Sequence, residues 1–156
     1  MPKRSAGILL HRTAAGGRTE VLLVHPGGPF WARKDQGAWS IPKGEYDDGD
    51  DPLAAAVREF EEETGQAPPT DELVELGTLR QAGGKLVSAW AAPGDLDPAT
   101  VTSNTFTMEW PPRSGRRREF PEIDRAAWFD LDTAREKLVA AQAELLDRLV
   151  AALEAS

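Results

Sequence analysis

An α/β fold, a mixed sheet with helices on both faces, is the architecture that this sequence predicts, and three observations predict it. Short apolar runs recur along most of the chain and read as strands. An amphipathic helix at 52–64 interrupts them, with clear signals at both ends, and a second helical pattern occupies 132–155. Strands with a central helix and a C-terminal helix bury their apolar faces best when helices cover a sheet from both sides.

The elements follow in order. Residues 6–11 and 21–25 are apolar runs separated by a Gly-rich turn at 14–18, which predicts a hairpin. Residues 25–38 (HPGGPFWARKDQGA) carry Gly-Gly and Pro-Gly breakers and read as a loop. A short strand is expected at 39–41, followed by a Pro-Lys-Gly turn, an acidic loop and the central helix. Residues 73–81 and 85–91 read as a second hairpin turning at Gly83–Gly84, and 103–110 alternates as a strand does. A basic loop is expected at 111–121, a short strand at 126–129, and then one helix from 132 to 155 with Leu138, Leu145, Leu146, Leu149 and Val150 on its apolar side. No repeats appear, and 156 residues suit a single domain, here taken as 1–156.

The central helix carries the chemistry. Asp51 supplies a capping side chain, Pro52 a favourable first helical residue and Gly65 a stop. Leu53, Val57 and Phe60 recur at helical spacing and form the stripe expected to dock on the sheet. Glu59, Glu62 and Glu63 stand at i, i+3 and i+4, so their carboxylates share a face. Like charges so placed repel by a few tenths of a kcal/mol per exposed pair. A helix that gathers them has a use for concentrated negative charge, and hard divalent cations such as Mg²⁺ are bound through carboxylates together with substrate phosphates. Taken alone, the same spacing also describes a solvated acidic face.

The residues before the helix decide between these readings. A Gly, five residues, an acidic residue, seven residues and then Arg-Glu-apolar-x-Glu-Glu-x-Gly describe residues 44–65. This resembles the signature of the Nudix hydrolases, with Gly44, Arg58, Glu59, Phe60, Glu62, Glu63 and Gly65 in register. Two positions depart from it: Asp50 stands where the family has Glu, and Gln66 where it has an apolar residue. Asp50 keeps the charge with a shorter reach, which preserves a role opposite Arg58 and puts a direct metal role in doubt. Gln66 bears on packing after the helix.

The resemblance implies an α/β/α sandwich covering most of the chain, and Mg²⁺ as cofactor, with Mn²⁺ as the alternative. It implies that Glu59, Glu62 and Glu63 hold metal with a backbone carbonyl near Lys43 and Gly44, while Arg58 organises the glutamates or the loop. The chemistry follows from the charge of a diphosphate, whose oxygens repel a nucleophile until divalent ions neutralise them and acidify a water. A further carboxylate is expected from outside the helix. Glu122, before the strand that holds Trp128, resembles a loop Glu of many family members, and Glu119 is its rival.

Composition sets limits. A net charge of −8 argues against general nucleic-acid binding, which usually shows a basic footprint. There are no cysteines, hence no disulfide framework and no thiolate zinc site. With neither a membrane-length apolar run nor a secretory leader in view, the cytoplasm is the expected compartment. His11 and His25, the only histidines, each sit at a strand edge and are expected to be structural or solvent-exposed, not catalytic.

Substrate contacts are expected from loops. Lys43 beside Gly44 would meet a phosphate, and Arg33 and Lys34 add charge in the first loop. Arg116, with Arg113, Arg117 and Arg118, forms the one basic cluster. Trp31 and Phe30 would stack on a base, Trp39, Trp90 and Trp128 belong to the core, and Trp110 suits either role. W-x-x-P-K-G at 39–44 resembles the version in diadenosine polyphosphate and diphosphoinositol hydrolases. The expected function is a Mg²⁺-dependent pyrophosphohydrolase acting on a small nucleoside polyphosphate, a triphosphate or a dinucleoside polyphosphate. The alternatives are a diphosphoinositol polyphosphate hydrolase and a non-catalytic nucleotide sensor.

Overall fold

The computed structural model describes residues 2–155. Eight strands and three α-helices follow one another as β1 (Arg4–Thr13), β2 (Thr19–Pro26), β3 (Lys43–Glu45), α1 (Pro52–Thr64), β4 (Val74–Arg80), β5 (Leu86–Pro93), β6 (Thr105–Glu109), β7 (Arg117–Pro121), β8 (Ile123–Asp130), α2 (Leu131–Lys137) and α3 (Ala143–Ala155). The main sheet runs β4-β5-β1-β2-β8, and β3 pairs with the first half of β1. The β1–β5 pair is parallel and the remaining pairs are antiparallel, so the sheet is mixed as expected.

Both faces of this sheet are covered, which explains why Ser5–Leu10 of β1 is buried without alternation. The alternation reappears in what each side chain touches. Leu9, Val21 and Leu23 pack with Leu138, Leu145, Leu146 and Leu149 beneath the C-terminal helices. Ile8, Leu10 and Leu22 pack with Ala55, Ala56 and Phe60 of α1 on the opposite face. The α/β/α layering follows directly from this two-sided strand.

Helix α1 begins and ends as its sequence signals require. The Asp51 carboxylate accepts from the Ala54 amide at 3.0 Å, and the Gly65 amide donates to the Glu61 carbonyl at 2.7 Å. Gly65 lies at φ 79°, and a Cβ there would come within 2.8 Å of the Thr102 carbonyl oxygen. Gln66 uses its amide to reach Thr100 Oγ1 at 2.5 Å, a packing role after the helix. The docked side is rotated from the expected stripe. Ala55, Ala56, Phe60 and Thr64 are buried, while Leu53 and Val57 flank them half-exposed. Small alanines bring the helix close to the sheet, and Phe60 fills the space between.

Three other expectations are corrected. Residues 39–41 form no strand, only single bridges of Ser40 to Val24 and Trp39 to Leu138. Pro42, without an N–H, cannot extend the ladder. The expected basic loop at 111–121 contains β7, which pairs with β6 in a separate two-stranded hairpin. The single helix expected from 132 to 155 is two helices. Leu138 turns extended, at φ −66° and ψ 147°, so that its segment can bridge Trp39. The Trp39 amide donates to the Lys137 carbonyl at 3.0 Å and the Val139 amide to the Trp39 carbonyl at 2.8 Å. Leu138 stays buried with Leu145, so the apolar spacing continues through the break and conceals it. Of the tryptophans assigned to the core, Trp39 is buried, whereas Trp90 and Trp128 sit half-buried at its rim. Trp128 packs under the Arg12 guanidinium at 4.1 Å.

Phe60 is fully buried and joins α1 to the sheet. Phe60→Ala should lower unfolding free energy by roughly 3–5 kcal/mol, measured by urea denaturation. A loss near zero would show that the helix is held by its caps and not by this ring.

Candidate functional site

The docking of α1 aims two of its glutamates at β3. Glu59 lies so close to Gly44 that a Cβ there would stand 2.0 Å from Oε2 and 2.2 Å from Cδ of the carboxyl group. Only glycine fits. One turn later, Glu63 Oε1 accepts from the Lys43 amide at 3.1 Å. Thus two successive residues of one short strand hold two carboxylates one helical turn apart.

Burial governs the charges here. It pushes the Glu63 carboxyl up to about 8, the Lys43 amide and ammonium opposing and Glu59 and Glu122 adding to the rise. Glu59 is raised by burial first and by Glu62 second, with Arg58 opposing. The Lys43 ammonium is lowered by burial, which Glu63 partly offsets. Arg58 Nη2 reaches Glu59 Oε1 at 3.4 Å, while Asp50 accepts from the Asp47 amide at 3.1 Å and shapes its own turn.

Glu63, Lys43, Glu122 and Trp31 line one cleft of about 230 Å³ together with Gln81 and Gln142. Glu122 is held there by its backbone: its amide donates to the Asn104 carbonyl at 2.8 Å, and its carbonyl accepts from the Gly27 amide at 2.8 Å. Its rival Glu119 is exposed on β7, opposite Thr107 in the hairpin. Not every expected residue gathers here. Glu62 borders a separate hollow with Asn104, Arg33 and Lys34 are exposed on the loop after β2, and Arg116 is exposed in the β6–β7 connection. The Lys34 ammonium sits 5.1 Å from the Trp31 ring.

The loop carrying Trp31 is tethered from beneath. His25 is fully buried, its Nδ1 2.8 Å from Asp124 Oδ1 and its Nε2 2.6 Å from the Lys34 carbonyl oxygen. Trp39 donates its indole N–H to Asp35 at 2.8 Å, and Lys137 pairs with the same carboxylate. His25 is therefore a structural tie, as expected. Phe30 meets Trp110 edge-on at 5.5 Å between centroids, which joins the loop to the β6–β7 hairpin.

Gln81 and Gln142 were not among the sequence candidates. A signal for Gln142 existed: it falls four residues after Leu138 and three before Leu145, a polar residue on an apolar stripe. Gln81 has none, since its partner is 61 residues distant in sequence.

The donor set around Glu59 and Glu63 is carboxylate and carbonyl oxygen, with no imidazole or thiolate, which fits a hard divalent cation whose shell is completed by water and phosphate. Among the described residues no three such side chains already converge on one centre. The protein's share would be the two glutamates and the backbone near Gly44. No helix among the described residues is long and apolar enough to cross a membrane.

Comparison with known proteins extends this picture. The chain is 33% identical over 138 residues to a Myxococcus xanthus protein named octanoyltransferase, a match spanning 88% of this chain and 33% of that protein. It is 30% identical over 149 residues to an 8-oxo-(d)GTP phosphatase of Mycolicibacterium smegmatis, spanning 86% of this chain and 37% of that one. The chain thus spans about a third of the length of these two relatives. Among solved structures, a C. elegans Ap4A hydrolase binary complex superposes with a TM-score of 0.67 at 24% identity, covering 97% of this chain and 99% of that one. That likeness is one of fold. The model of the NUDIX domain matches residues 1–149, from β1 into α3, and the chain accordingly belongs to the NUDIX domain family.

Proposed function

We propose that this domain hydrolyses a phosphoanhydride bond in a nucleoside polyphosphate with the help of a divalent cation, Mg²⁺ or Mn²⁺. The observation that carries the reading is that Glu63, Lys43 and Glu122 face one cleft while burial makes the Glu63 carboxyl costly to ionise. When bound, the cation supplies countercharge for the phosphate oxygens and a more acidic water. Glu59 and Glu63 would hold it, with the backbone at Gly44. The Lys43 ammonium pairs with a phosphate oxygen, and Glu122 accepts a proton from the attacking water. Arg58 fixes the orientation of Glu59. Trp31, at 41% exposure, offers a ring face for a base.

The chain's relatives named 8-oxo-(d)GTP phosphatase and RNA pyrophosphohydrolase are consistent with a nucleotide substrate. The arginine cluster that favours a diphosphoinositol lies on the hairpin and not in the cleft lining, to which Lys43 alone contributes a cationic side chain. The cytoplasm, where nucleoside polyphosphates are made and spent, is the compartment this reading implies.

The decisive experiment incubates the protein and Mg²⁺ with triphosphates, dinucleoside polyphosphates and sugar nucleotides and follows phosphate release with and without added phosphatase. Turnover of at least one class is expected, and nucleotide binding without turnover would indicate a sensor. Glu63→Gln should keep the fold, by circular dichroism, and cut kcat by orders of magnitude, about 10²-fold or more. Activity near wild type would remove Glu63 from the site.

A proton should accompany the cation. In the cation-free protein Glu63 titrates near 8, yet a ligand must be ionised. Mg²⁺ affinity should therefore rise with pH and level off above about 8, with proton release at pH 7 visible by calorimetry in buffers of different ionisation enthalpy. The stability sign follows from the same shift. A carboxyl raised from 4.5 stabilises the fold below 4.5 and loses that contribution as pH rises through about 8. Without cation, the wild type should lose stability over this range relative to Glu63→Gln, and parallel pH profiles for the two would contradict the assignment.

A further inference from the structure

The cleft lining holds a hydrogen-bond relay whose direction is set by the main chain. The Ile41 amide donates to Gln142 Oε1 at 3.0 Å. A backbone N–H can only donate, so this contact settles which end of the Gln142 amide is oxygen. Its Nε2 must then donate on the other side, to Ser40 Oγ at 3.0 Å and to Gln81 Oε1 at 2.9 Å. Ser40 agrees, because its one hydroxyl proton goes to the Ile41 carbonyl at 2.7 Å and leaves the oxygen free to accept. Gln142 has no exposed surface, so water cannot replace a partner if the amide turns over.

The relay therefore fixes Gln81 as well. Its amide oxygen accepts from Gln142, and its Nε2, with two protons to give, makes no hydrogen bond among the described residues. Gln81 lines the same cleft as Trp31, Lys43, Glu63 and Glu122. A base stacked on Trp31 would thus share its cleft with a Gln81 amide whose Nε2 is available to donate. The purines differ in what they present to such a donor. A 6-oxopurine shows two acceptors, O6 and N7, whereas a 6-aminopurine shows N7 beside an N6 donor that would oppose the amide protons.

We propose that Gln81 is a specificity-determining residue, locked by Gln142 as a hydrogen-bond donor, which selects 6-oxopurine over 6-aminopurine nucleotides. This rests on the reading of the cleft as a nucleotide site. The test uses inosine and adenosine 5′-monophosphates, which differ at position 6 and in the N1 proton and need no turnover to report. Binding to the intact chain is followed by tryptophan fluorescence in the presence of Mg²⁺. The wild type should bind the inosine nucleotide about tenfold more tightly, the discrimination expected of one well-made base contact. Gln81→Glu, which presents acceptors in place of the donor, should reverse the order, and Gln81→Ala should bring the two affinities together. Unfolding midpoints confirm that each variant is folded. Equal binding of both nucleotides by the wild type, or an inosine preference that survives Gln81→Glu, overturns the inference while leaving the hydrolase reading in place. No binding of either nucleotide, together with phosphate release from a non-nucleotide substrate, overturns both.

Discussion

The contact of Glu59 with Gly44, together with the Lys43 amide donating to Glu63, joins helix α1 to strand β3 at the point where the chemistry is proposed. Everything functional depends on that junction. Burial at this junction is the first cause that raises both carboxyls above the ordinary glutamate value. Phe60, Ala55 and Ala56 hold the helix down, and the absence of a side chain at residue 44 lets it come down far enough. Burial then makes the glutamates costly to ionise without a counterion. Stability and affinity oppose each other here: the charge that the fold would sooner protonate is the one a cation would stabilise.

A second constraint shapes the cleft lining. The C-terminal segment could have continued as one helix, since the apolar spacing from Leu138 to Leu149 permits it. It breaks instead, and residues 138–142 pack against 39–41, exchanging helical hydrogen bonds for bridges to Trp39 and an amide contact to Ile41. This break places Gln142 behind the cleft. The same segment 39–41 bridges β2 on its other side through Ser40 and Val24. The cleft is thus walled by chain segments whose backbone polar groups are satisfied outside regular ladders, a common way for a rigid sheet to carry an adaptable site.

What was legible in the sequence was whatever is written locally. Caps and spacing marked α1 at Asp51, Pro52 and Gly65, and apolar runs marked the strands. The signature grouped Glu59, Glu62 and Glu63 near Gly44; Glu59 and Glu63 lie against β3 in the fold, while Glu62 borders a separate hollow. Glu122 was legible only through resemblance. Interactions between distant segments were not legible. The pairing of β7 with β6 lies in a stretch whose arginines read as loop, and the helix break at Leu138 answers to Trp39, almost a hundred positions earlier. The Leu53–Val57–Phe60 stripe had the right period but the wrong phase, because alanines, neutral to a pattern of large apolar residues, make the closest approach.

The polar relay through Ser40, Gln142 and Gln81 shows how far such long-range effects reach into function. Considered alone, a glutamine near a cleft is ambiguous: rotation of its amide by half a turn exchanges donor for acceptor and would admit either kind of base. The ambiguity disappears only because Gln142 is buried against a main-chain N–H that has no second role. The selectivity proposed for Gln81 therefore rests on the peptide bond at Ile41 and reaches Gln81 through one buried amide. A buried polar network of this kind stabilises little by itself, yet it costs heavily to invert, since turning over any member leaves like groups facing one another without water. That asymmetry gives the relay a fixed polarity while the glutamates are free to respond to a cation.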